Sequence, residues 1–495
     1  MSDLTPPVEP SQEGSNAGPA IGQDEWVARH GERRSGRAGY LGQIEDRLKI
    51  APWYAWLVLF VAAFALLPVV SDSGYIRRVA FDTTLYMLLA LGLNVVVGWG
   101  GLLDLGYVAF YGVGAYAYAM LNSDQLHTHL PTFVTIPLVV IIGAAVGFLV
   151  GLPSRRLVGD YLAIVTLFFL QIFLTVATNG NSVSGHNLTG GANGILNVDP
   201  LHLFGHNLVV QRQGIFSVSY LYVAIAFFAV TYIALHFVNQ SRTGRAWRSI
   251  REDSLAAEAM GMPVNLLKLM AFSFGAGVAA LTGTLFASLN ASVFPLTFSF
   301  PLLITVYTMV ILGGQGSQAG VVVGAVFISV LLETLRDPGN ARLIFYAFGA
   351  LAIVLAYGRS RKLAGLLAST LVFGLVVHQI VSTINHDWVA GTEQSPNGAA
   401  DLLAHWVIVP TSLASWVAPF SYIGLICVVL LLTLLHGPFR LVLLVPTIYL
   451  AAFVWENVLL PQPDTTRYIV LGAMLIGLMI MRPNGLFGER RVEIV

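Results

Sequence analysis

The sequence predicts an all-α polytopic membrane protein that crosses the bilayer many times. Of its 495 residues, 56% are hydrophobic and only 11% are charged, whereas an average soluble domain carries about 25% charged residues. The apolar residues come in long blocks, without the alternation of strands or the 3.6-residue period of half-buried helices. A surface of this kind suits solvation by lipid tails, so moving a solute is a better prediction than catalysing a reaction.

The chain begins with a polar segment and continues with apolar ones. Residues 1–50 are predicted to be a disordered cytoplasmic tail, because their first half is rich in Pro, Gly, Ser and acidic residues. A span needs about 20 apolar residues to cross about 30 Å of hydrocarbon. About fourteen segments are candidate spans: 53–70, 81–98, 101–121, 133–152, 162–178, 221–238, 267–289, 302–313, 321–334, 341–357, 366–381, 421–435, 439–460 and 468–482.

Short or interrupted segments leave part of this assignment open. The segments 302–313 and 321–334 are short, and two half-helices that meet inside the bundle are the alternative. Residues 404–420 hold two prolines and two tryptophans. We interpret that stretch as an interfacial segment that does not cross the bilayer.

The positions of the basic residues orient the spans. If the amino terminus is inside and the spans alternate, twenty of the 26 Lys and Arg residues lie on the inner side. The six on the outer side are Arg77, Arg78, Arg212, Arg336, Arg342 and Arg467. Cytoplasmic loops of membrane proteins carry the excess of Lys and Arg. The distribution therefore predicts that both termini are cytoplasmic, with a long outer loop at 179–217 and a charged inner loop at 239–266.

Glycines crowd two hairpins that are candidates for a pore or gate. The candidate residues are Gly101, Asp104, Gly106, Gly112, Gly114, Gly313, Gly314 and Gly316. Small residues let membrane helices approach closely. Glycine can also break a helix where the freed backbone is buried in protein or lines water. Close helix packing and flexible elements around a translocation route both remain open.

The residues predict no cofactor site on this chain. The segment 314–320 is rich in glycine, but it lacks the lysine that a phosphate-binding loop places against phosphate. Cys427 is the only cysteine and has no metal-ligating companion, so no metal site is expected. A net charge of zero without a basic block makes nucleic acid a poor partner. If ATP drives this protein, another chain must bind and hydrolyse it.

Ionisable residues inside spans are hypotheses for function by default. Asp104, Glu333, His378 and Glu456 are the candidates here. Asp104 follows a turn and has the alternative of a local cap, and Glu333 has the alternative of an ion pair with Arg336. The spans lack the repeated buried charges of a proton relay, which weighs against ion coupling.

The inner loop has the features of a short docking helix. Its sequence over 241–261 is SRTGRAWRSIREDSLAAEAMG. Asp253 or Ser254 can cap a helix that ends at Gly261, with Pro263 shortly after. Leu255 and Met260 would supply apolar contacts. A helix lying among lipid headgroups is the alternative to one that inserts into a groove on a soluble partner.

Several passages resemble the LivM-type permeases of branched-chain amino acid ABC importers. They are GGLLDLGYVAFYGVGAYAYAML (100–121), LTGGANGI (188–195), SRTGRAWRSIREDSLAAEAMGM (241–262), ILGGQGSQAGVVVGA (311–325) and RYIVLGAMLIGLMIMRPNGLFG (467–488). The resemblance covers roughly 55–360 and 467–488. It implies an ABC-importer permease of the LivH/LivM type in the bacterial inner membrane.

The resemblance also implies partners and site residues. The expected partners are a second LivH-like permease subunit, two cytoplasmic ATPases and a periplasmic substrate-binding protein. The coupling helix, which docks on the ATPases, would comprise Asp253, Leu255, Glu258, Ala259 and Gly261. The outer loop would face the binding protein or the outer gate through Thr189, Gly190, Gly191 and Asn193.

The last third departs from the family pattern. Residues 342–362 and 468–482 both resemble the family's last span, and about 100 residues separate them. We therefore expect a permease core at 51–360, an atypical insertion with extra spans at 361–466, and a last span with a cytoplasmic tail at 467–495. For the function, the alternatives are a permease for urea, short-chain amides or nucleosides, and an ion-coupled secondary transporter. No constellation of catalytic residues supports an enzyme.

Overall fold

The structure is a computed structural model. It describes residues 52–487, apart from 126–127, 155–158, 183–186, 204–205, 208–210, 213–214, 217, 358–360, 385–387, 390–405, 411–413, 436–437 and 482–484. The predictions for the tail at 1–50 and for 488–495 lie outside the described residues. The chain divides into two units, 1–56 and 57–495. The described part of the first is the start of the first helix.

The described residues are mainly helical, as predicted. The helices are α1 Trp53–Val70, α2 Gly74–Leu93, α3 Tyr107–Leu121, α4 Thr132–Ser154, α5 Asp160–Asn179, α6 Val218–Gln240, α7 Arg242–Glu252, α8 Ser254–Ala259, α9 Val264–Asn290, α10 Phe300–Gly313, α11 Gln318–Thr334, α12 Pro338–Tyr357, α13 Arg361–Ile384, α14 Val417–Leu434, α15 Pro438–Val454 and α16 Pro463–Met481. A π-helical turn extends α2 over Asn94–Trp99, and another extends α15 over Trp455–Leu459.

Helices that can cross a membrane are fewer than the fourteen predicted spans. Among the described residues, ten helices are long and apolar enough, or eleven if a bent pair counts as one span. That pair is α11 and the start of α12, which meet at an angle of 119°. Helix α3 has 15 residues and is too short by the same measure. The multi-pass architecture is confirmed, whereas the count of fourteen is not.

Short antiparallel ladders tie the outer loops together. The strands are β1 Asn122–Ser123, β2 Thr128–His129, β3 Ile195–Leu196, β4 His202–Leu203, β5 His206–Asn207, β6 Gln211–Arg212, β7 Ile215–Phe216 and β8 Ser292–Val293. The pairs are β1 with β2, β3 with β8, β4 with β5, and β6 with β7. The β3–β8 pair fixes the long loop after α5 to the turn that follows α9.

Helix α9 is packed closely by α3 and α4 through small residues. A Cβ placed on Gly114 of α3 would lie 2.3 Å from the Cα of Ala280. One placed on Gly143 of α4 would lie 2.3 Å from the Cβ of the same alanine. Apolar helices gain little from association in lipid unless their backbones can approach. These glycines therefore give α9 its two close neighbours.

The last helix, α16, packs against α10, while α12 packs against α13. Residues 485–487 then hydrogen-bond to the end of α10, since the amides of Leu486 and Phe487 donate to the carbonyls of Leu312 and Gly313 at 2.8 and 3.0 Å. The segment 404–420 contains no described helix before α14. Its Trp406 is buried and donates to the carbonyl of Thr370, so this tryptophan packs against α13. The interfacial position of 404–420 stays a prediction.

Candidate functional site

The inner loop folds into two short helices with defined ends. Ser241 caps α7 by accepting from the amide of Gly244. Asp253, not Ser254, caps α8: its Oδ1 accepts from the amides of Leu255 and Ala256 at 2.9 and 3.0 Å. A side-chain cap satisfies amides that a helix start leaves without partners. The sharp turn between the two helices is thereby fixed.

The end of α8 is also fixed by its own hydrogen bonds. The amide of Gly261 donates to the carbonyl of Glu258, and the amide of Met262 donates to that of Ala257. This is the Schellman pattern, which needs a left-handed residue, and Gly261 has φ of +80°. Nothing lies within 4 Å of where a Cβ of Gly261 would stand. The requirement for glycine there comes from the backbone and not from crowding.

Helix α8 presents most of its side chains outward. Leu255 and Met260 are 77% and 81% exposed, and Glu258 and Ala259 are exposed as well. Only Ala257 of this helix is buried. Leu255 on the helix and Met260 directly after it are therefore two large exposed apolar side chains close in sequence to the exposed Glu258. The structure thus places together the residues that the sequence predicted as a coupling helix.

Helix α7 anchors this loop to the spans through Trp247. The indole is fully buried and its Nε1 donates to the carbonyl of Leu267 in α9 at 2.8 Å. The ring stacks on Trp99, with centroids 6.4 Å apart and planes inclined by 17°. Because Trp99 ends the π-helical turn after α2, α7 contacts both α9 and the first glycine break.

Arg251 connects α7 to both glycine breaks. Its Nη1 donates to the carbonyl of Gly98 at 2.5 Å. A Cβ on Gly101, which has φ of +65°, would lie 2.9 Å from Cγ of Arg251. One on Gly316, which has φ of +95°, would lie 2.7 Å from its Nη1. The arginine therefore fills the space that these two glycines leave, 153 residues from Gly98 along the chain.

The two glycine breaks also contact each other directly. The amide of Gly316 donates to Oδ1 of Asn94 at 2.8 Å, and Nε1 of Trp99 donates to the carbonyl of Gly316 at 3.0 Å. Gly313 packs against Gly320, where a Cβ would lie 2.2 Å from the carbonyl oxygen. We name this contact of residues 94–101 with 313–320 the break junction. Arg251 and Trp247 join it to α8.

A cavity of about 410 Å³ lies beside this connection. Its wall includes Gly101, Leu103, Arg251, Asp253 and Lys268. The wall combines the first glycine break with the turn between α7 and α8. A movement of that turn would therefore change the packing next to the break.

Asp104 is fully buried and acts locally in the segment before α3. Its Oδ1 accepts from the amide of Gly106 at 2.9 Å. Its backbone amide donates to the hydroxyl of Tyr307, and that hydroxyl donates to the backbone carbonyl of Asp104. Oδ2 has no hydrogen-bond partner among the described residues. The carboxylate of Asp104 therefore caps the loop before α3, and Tyr307 holds the backbone of Asp104 against α10.

The other glycines of the first hairpin lie in close helix contacts. A Cβ on Gly112 would lie 2.3 Å from Phe173 of α5, and one on Gly106 would lie 2.3 Å from the carbonyl oxygen of Thr166. Together with Gly114 against Ala280, these positions pack α3 between α5 and α9. A role for Gly106, Gly112, Gly114, Gly313 or Gly314 in a gate stays a prediction.

The candidate outer loop is compact and only partly accessible. Gly190 and Gly191 have φ of +72° and +62°, and the amide of Gly190 donates to Oδ1 of Asn187. Thr189 and Gly191 are buried, whereas Asn193 is exposed. Of the four residues predicted to face a partner, Asn193 is therefore the best placed to do so.

Two further ionisable candidates are paired. Glu333 accepts from the hydroxyl of Tyr75 at 2.6 Å and lies 3.6 Å from Arg336. Glu456 is buried and lies 2.8 Å from Nη2 of Arg342. No group of three or more His, Cys, Asp or Glu residues suited to a metal occurs in the described ranges.

Sequence reasoning missed the residues that link the inner loop to the breaks. No contact of Arg251 or Trp247 with the glycine breaks was predicted from the sequence. A usable signal exists for Trp247, because it and Ile250 are the large apolar residues of an otherwise polar helix and both are buried. The contacts of Arg251, Asn94 and Trp99 are long-range and leave no local pattern.

Comparison with known proteins identifies the family to which this chain belongs. The family model described as the branched-chain amino acid transport system / permease component matches residues 75–357. No solved structure matches. The match runs from the second residue of α2 to the end of α12, and it includes the break junction and both inner-loop helices.

Individual relatives agree with the family match. The high-affinity branched-chain amino acid transport system permease protein LivM of Salmonella typhimurium is 37% identical over 324 residues, covering 62% of this chain and 73% of the relative. LivM of Escherichia coli is 35% identical over 326 residues, covering 62% and 74%. LivH of Escherichia coli is 25% identical over 254 residues, covering 50% and 80%. This multi-pass membrane protein therefore belongs to the permease-component family of branched-chain amino acid transport systems.

Proposed function

We propose that this chain is one of two permease subunits of an ATP-driven importer for branched-chain, hydrophobic amino acids. It forms half of the translocation pore with a LivH-like subunit. Two cytoplasmic ATPases drive it, and a periplasmic binding protein delivers the substrate. The family match and the LivM and LivH relatives support this proposal.

The observation that carries the proposal is the connection between α8 and the break junction. Helix α8 exposes Leu255, Glu258 and Met260, which suits insertion into a groove on a soluble partner. Arg251 and Trp247 extend the same loop to the glycine breaks between the spans. A partner that moves α8 would thus act on the breaks through packed side chains and hydrogen bonds.

The location and division of the chain belong to the same proposal. The protein lies in the bacterial inner membrane with both termini in the cytoplasm. Residues 51–360 form the permease core, 361–466 form an added segment, and 467–495 return to the core. The packing of α16 on α10 supports the last point. The chain itself binds no cofactor, and ATP is hydrolysed by the partner subunits.

A docking experiment tests the role of α8. Glu258→Arg is introduced in the full chain, and the ATPase subunits that co-purify with the assembled permease are quantified. Loss of the ATPases with a normal amount of membrane-inserted chain is expected. The matched control is Arg440→Glu, a charge reversal at an exposed residue of α15. Equal ATPase recovery from the Glu258 variant and the wild type would contradict the docking role.

Transport in vesicles separates the importer from a secondary carrier. The complete complex, with leucine-loaded binding protein outside and ATP inside, should accumulate leucine. The purified chain alone, given a proton or sodium gradient, should accumulate none. Uptake by the chain alone would support the ion-coupled alternative. Uptake of urea or a short-chain amide in place of leucine would show that the protein transports another class of substrate.

A further inference from the structure

A second cavity lies among α2, α3, α9, α10, α11 and α16. Its volume is about 380 Å³, within the range of small-molecule sites, which is about 300–1,000 Å³. Three ionisable residues line it, namely Asp82, Glu333 and Arg467. Glu333 and Arg467 lie near the ends of their helices that the distribution of basic residues predicts to be outside, and Asp82 lies in the half of α2 nearer to that side. The cavity is therefore on the side from which an importer receives its substrate.

The cation of this cavity is only weakly engaged by the protein. Nη1 of Arg467 lies 3.7 Å from Asp464, whose side chain is 90% exposed. Nε of Arg467 is buried and has no hydrogen-bond partner among the described residues. A buried donor without a partner costs roughly 1–3 kcal/mol, so a ligand that accepts from it would be stabilised. A guanidinium can bind a carboxylate through two parallel hydrogen bonds.

The two carboxylates of the cavity retain acceptor capacity. Asp82 accepts from Nε of Arg78 through Oδ2 at 3.0 Å. Glu333 accepts from Tyr75 through Oε1, and the same oxygen lies 3.6 Å from Arg336. An ionised carboxylate offers about four acceptor positions on its two oxygens. Within the part of the chain that the structure describes, each therefore keeps one oxygen for a donor such as an ammonium group.

The rest of the wall is apolar and aromatic. Leu85, Leu89 and Leu302 contribute aliphatic surface, and Tyr86, Tyr111 and Phe286 contribute rings. Phe286 and Tyr111 pack edge to face, with centroids 5.6 Å apart. A cavity that joins a weakly paired cation, two anions and an apolar wall matches the groups of an α-amino acid with an aliphatic side chain.

We propose that this cavity transiently binds the transported amino acid as a zwitterion, with Arg467 facing its carboxylate and Asp82 and Glu333 facing its ammonium group. The apolar wall accommodates the branched side chain. This inference rests on the proposed importer function and adds residues of this chain to it. Arg467 belongs to α16, beyond the residues 75–357 that match the family model. The helix that follows the added segment thus supplies the cation.

The test measures transport and ATP hydrolysis in the same vesicles. The complete complex is given leucine-loaded binding protein outside and ATP inside, with Arg467→Gln, Arg467→Lys or the wild-type chain. We expect Arg467→Gln to lower leucine uptake by about tenfold, corresponding to about 1.4 kcal/mol, while stimulation of ATPase activity by the binding protein persists. Arg467→Lys keeps the charge but loses the paired hydrogen bonds of the guanidinium, so its uptake should lie between those of Arg467→Gln and the wild type. The matched control is Arg440→Gln.

A second variant tests the cavity without touching its charges. Leu302→Trp should fill the cavity and reduce leucine uptake while the complex still assembles. If the Arg467→Gln complex does not assemble, the uptake by Leu302→Trp decides whether the cavity binds the transported amino acid. Uptake at the wild-type rate in both variants would overturn the inference, as would equal uptake by the Lys and Gln variants. A wild-type complex without ATP-driven leucine uptake would instead overturn the proposed function, and the inference with it.

Discussion

Trp99 and Trp247 stack with ring centroids 6.4 Å apart, and this contact joins the loop that holds α7 and α8 to the end of the π-helical turn after α2. Both rings are almost completely buried. Trp247 belongs to α7, while Trp99 donates to the carbonyl of Gly316 in the second glycine break. Stacked aromatic pairs contribute about 0.5–1.5 kcal/mol beyond their burial. The stacked pair therefore stabilises the contact between the loop and the break junction.

Removing the ring of Trp247 should loosen the loop. Trp247→Ala loses the stacking, the hydrogen bond to Leu267 and a fully buried side chain. Truncating a buried aromatic residue costs about 3–5 kcal/mol. Thermal unfolding of the purified complex should show a lower Tm. Trp247→Phe keeps an aromatic ring, so its Tm should lie between those of Trp247→Ala and the wild type. If Trp247→Ala unfolds at the wild-type temperature, α7 is not anchored in this way.

Arg251 should couple the loop to the breaks without contributing to docking. Arg251→Met removes the hydrogen bond to Gly98, while the exposed residues of α8 are unchanged. We expect the ATPases to co-purify as with the wild type and leucine uptake to fall by about tenfold or more, since hydrogen bonds to charged groups contribute about 1.5–3 kcal/mol.

Arg248 provides a matched control for Arg251 on the same helix. Its Nη1 donates to Oδ1 of Asn239 at 3.1 Å, so its contact stays near the end of α6 and does not reach a glycine break. Arg248→Met should leave uptake close to the wild-type rate. Equal losses in the two variants would mean that any arginine of α7 matters, and the specific link to Gly98 would be wrong.

Gly316 should not tolerate a side chain. Its φ of +95° lies in the region that L-residues avoid, and a Cβ would approach Nη1 of Arg251 to 2.7 Å. Left-handed backbone costs a non-glycine residue roughly 1–2 kcal/mol. Gly316→Ala should lower both Tm and uptake. Gly349→Ala in α12, where nothing lies within 4 Å of the new Cβ, should leave both unchanged or raise Tm slightly.

Local signals predicted the elements better than the contacts between them. The first span, 53–70, coincides with α1, and both the cap at Asp253 and the stop at Gly261 follow from helix chemistry. The segment 101–121 was predicted as one span, yet its helix begins only at Tyr107. The positive φ of Gly101 and the cap by Asp104 keep the preceding residues out of the helix. A prediction of spans from hydropathy takes neither effect into account.

Contacts across the chain were outside the reach of the sequence. Asn94 and Gly316 are 222 residues apart and share a hydrogen bond. The bend of 119° between α11 and α12 was likewise invisible to a hydropathy count. The residues of the outer cavity come from helices that only the fold brings together, which is why Arg467 was counted as an outer basic residue and nothing more.

The outer hairpin of β1 and β2 should make stability depend on pH. Nδ1 of His129 lies 2.5 Å from Oδ2 of Asp199, and Nε2 lies 3.7 Å from Asp124. The hydrogen bond to Asp199, with smaller help from the two negative charges, raises the pKa of His129 above 6.5. A raised pKa means that the folded state binds the proton more tightly than the unfolded state does.

The sign of this effect follows from the raised pKa. The stabilisation is fully present below the ordinary pKa of 6.5, and it is lost as the pH rises through the higher pKa of the folded state. The wild-type Tm should therefore fall between slightly acidic and slightly alkaline pH by more than that of His129→Gln. Because the residue is exposed, the difference should be small. If the Tm of the wild type and of His129→Gln changes equally with pH, the hairpin contributes nothing to the pH dependence of stability.

The buried pair of Arg342 and Glu456 should join α12 to the end of α15 through charge. Their atoms lie 2.8 Å apart, with side chains only 13% and 2% exposed, and the hydroxyl of Tyr346 donates to the same carboxylate at 3.2 Å. Breaking a buried pair by removing one partner costs about 3–5 kcal/mol, because the other charge is left uncompensated. Glu456→Gln alone should therefore lower Tm markedly. Adding Arg342→Met should recover part of the loss, since the double variant buries no lone charge. A double variant less stable than Glu456→Gln alone would show that Arg342 stabilises these helices by contacts other than the ion pair.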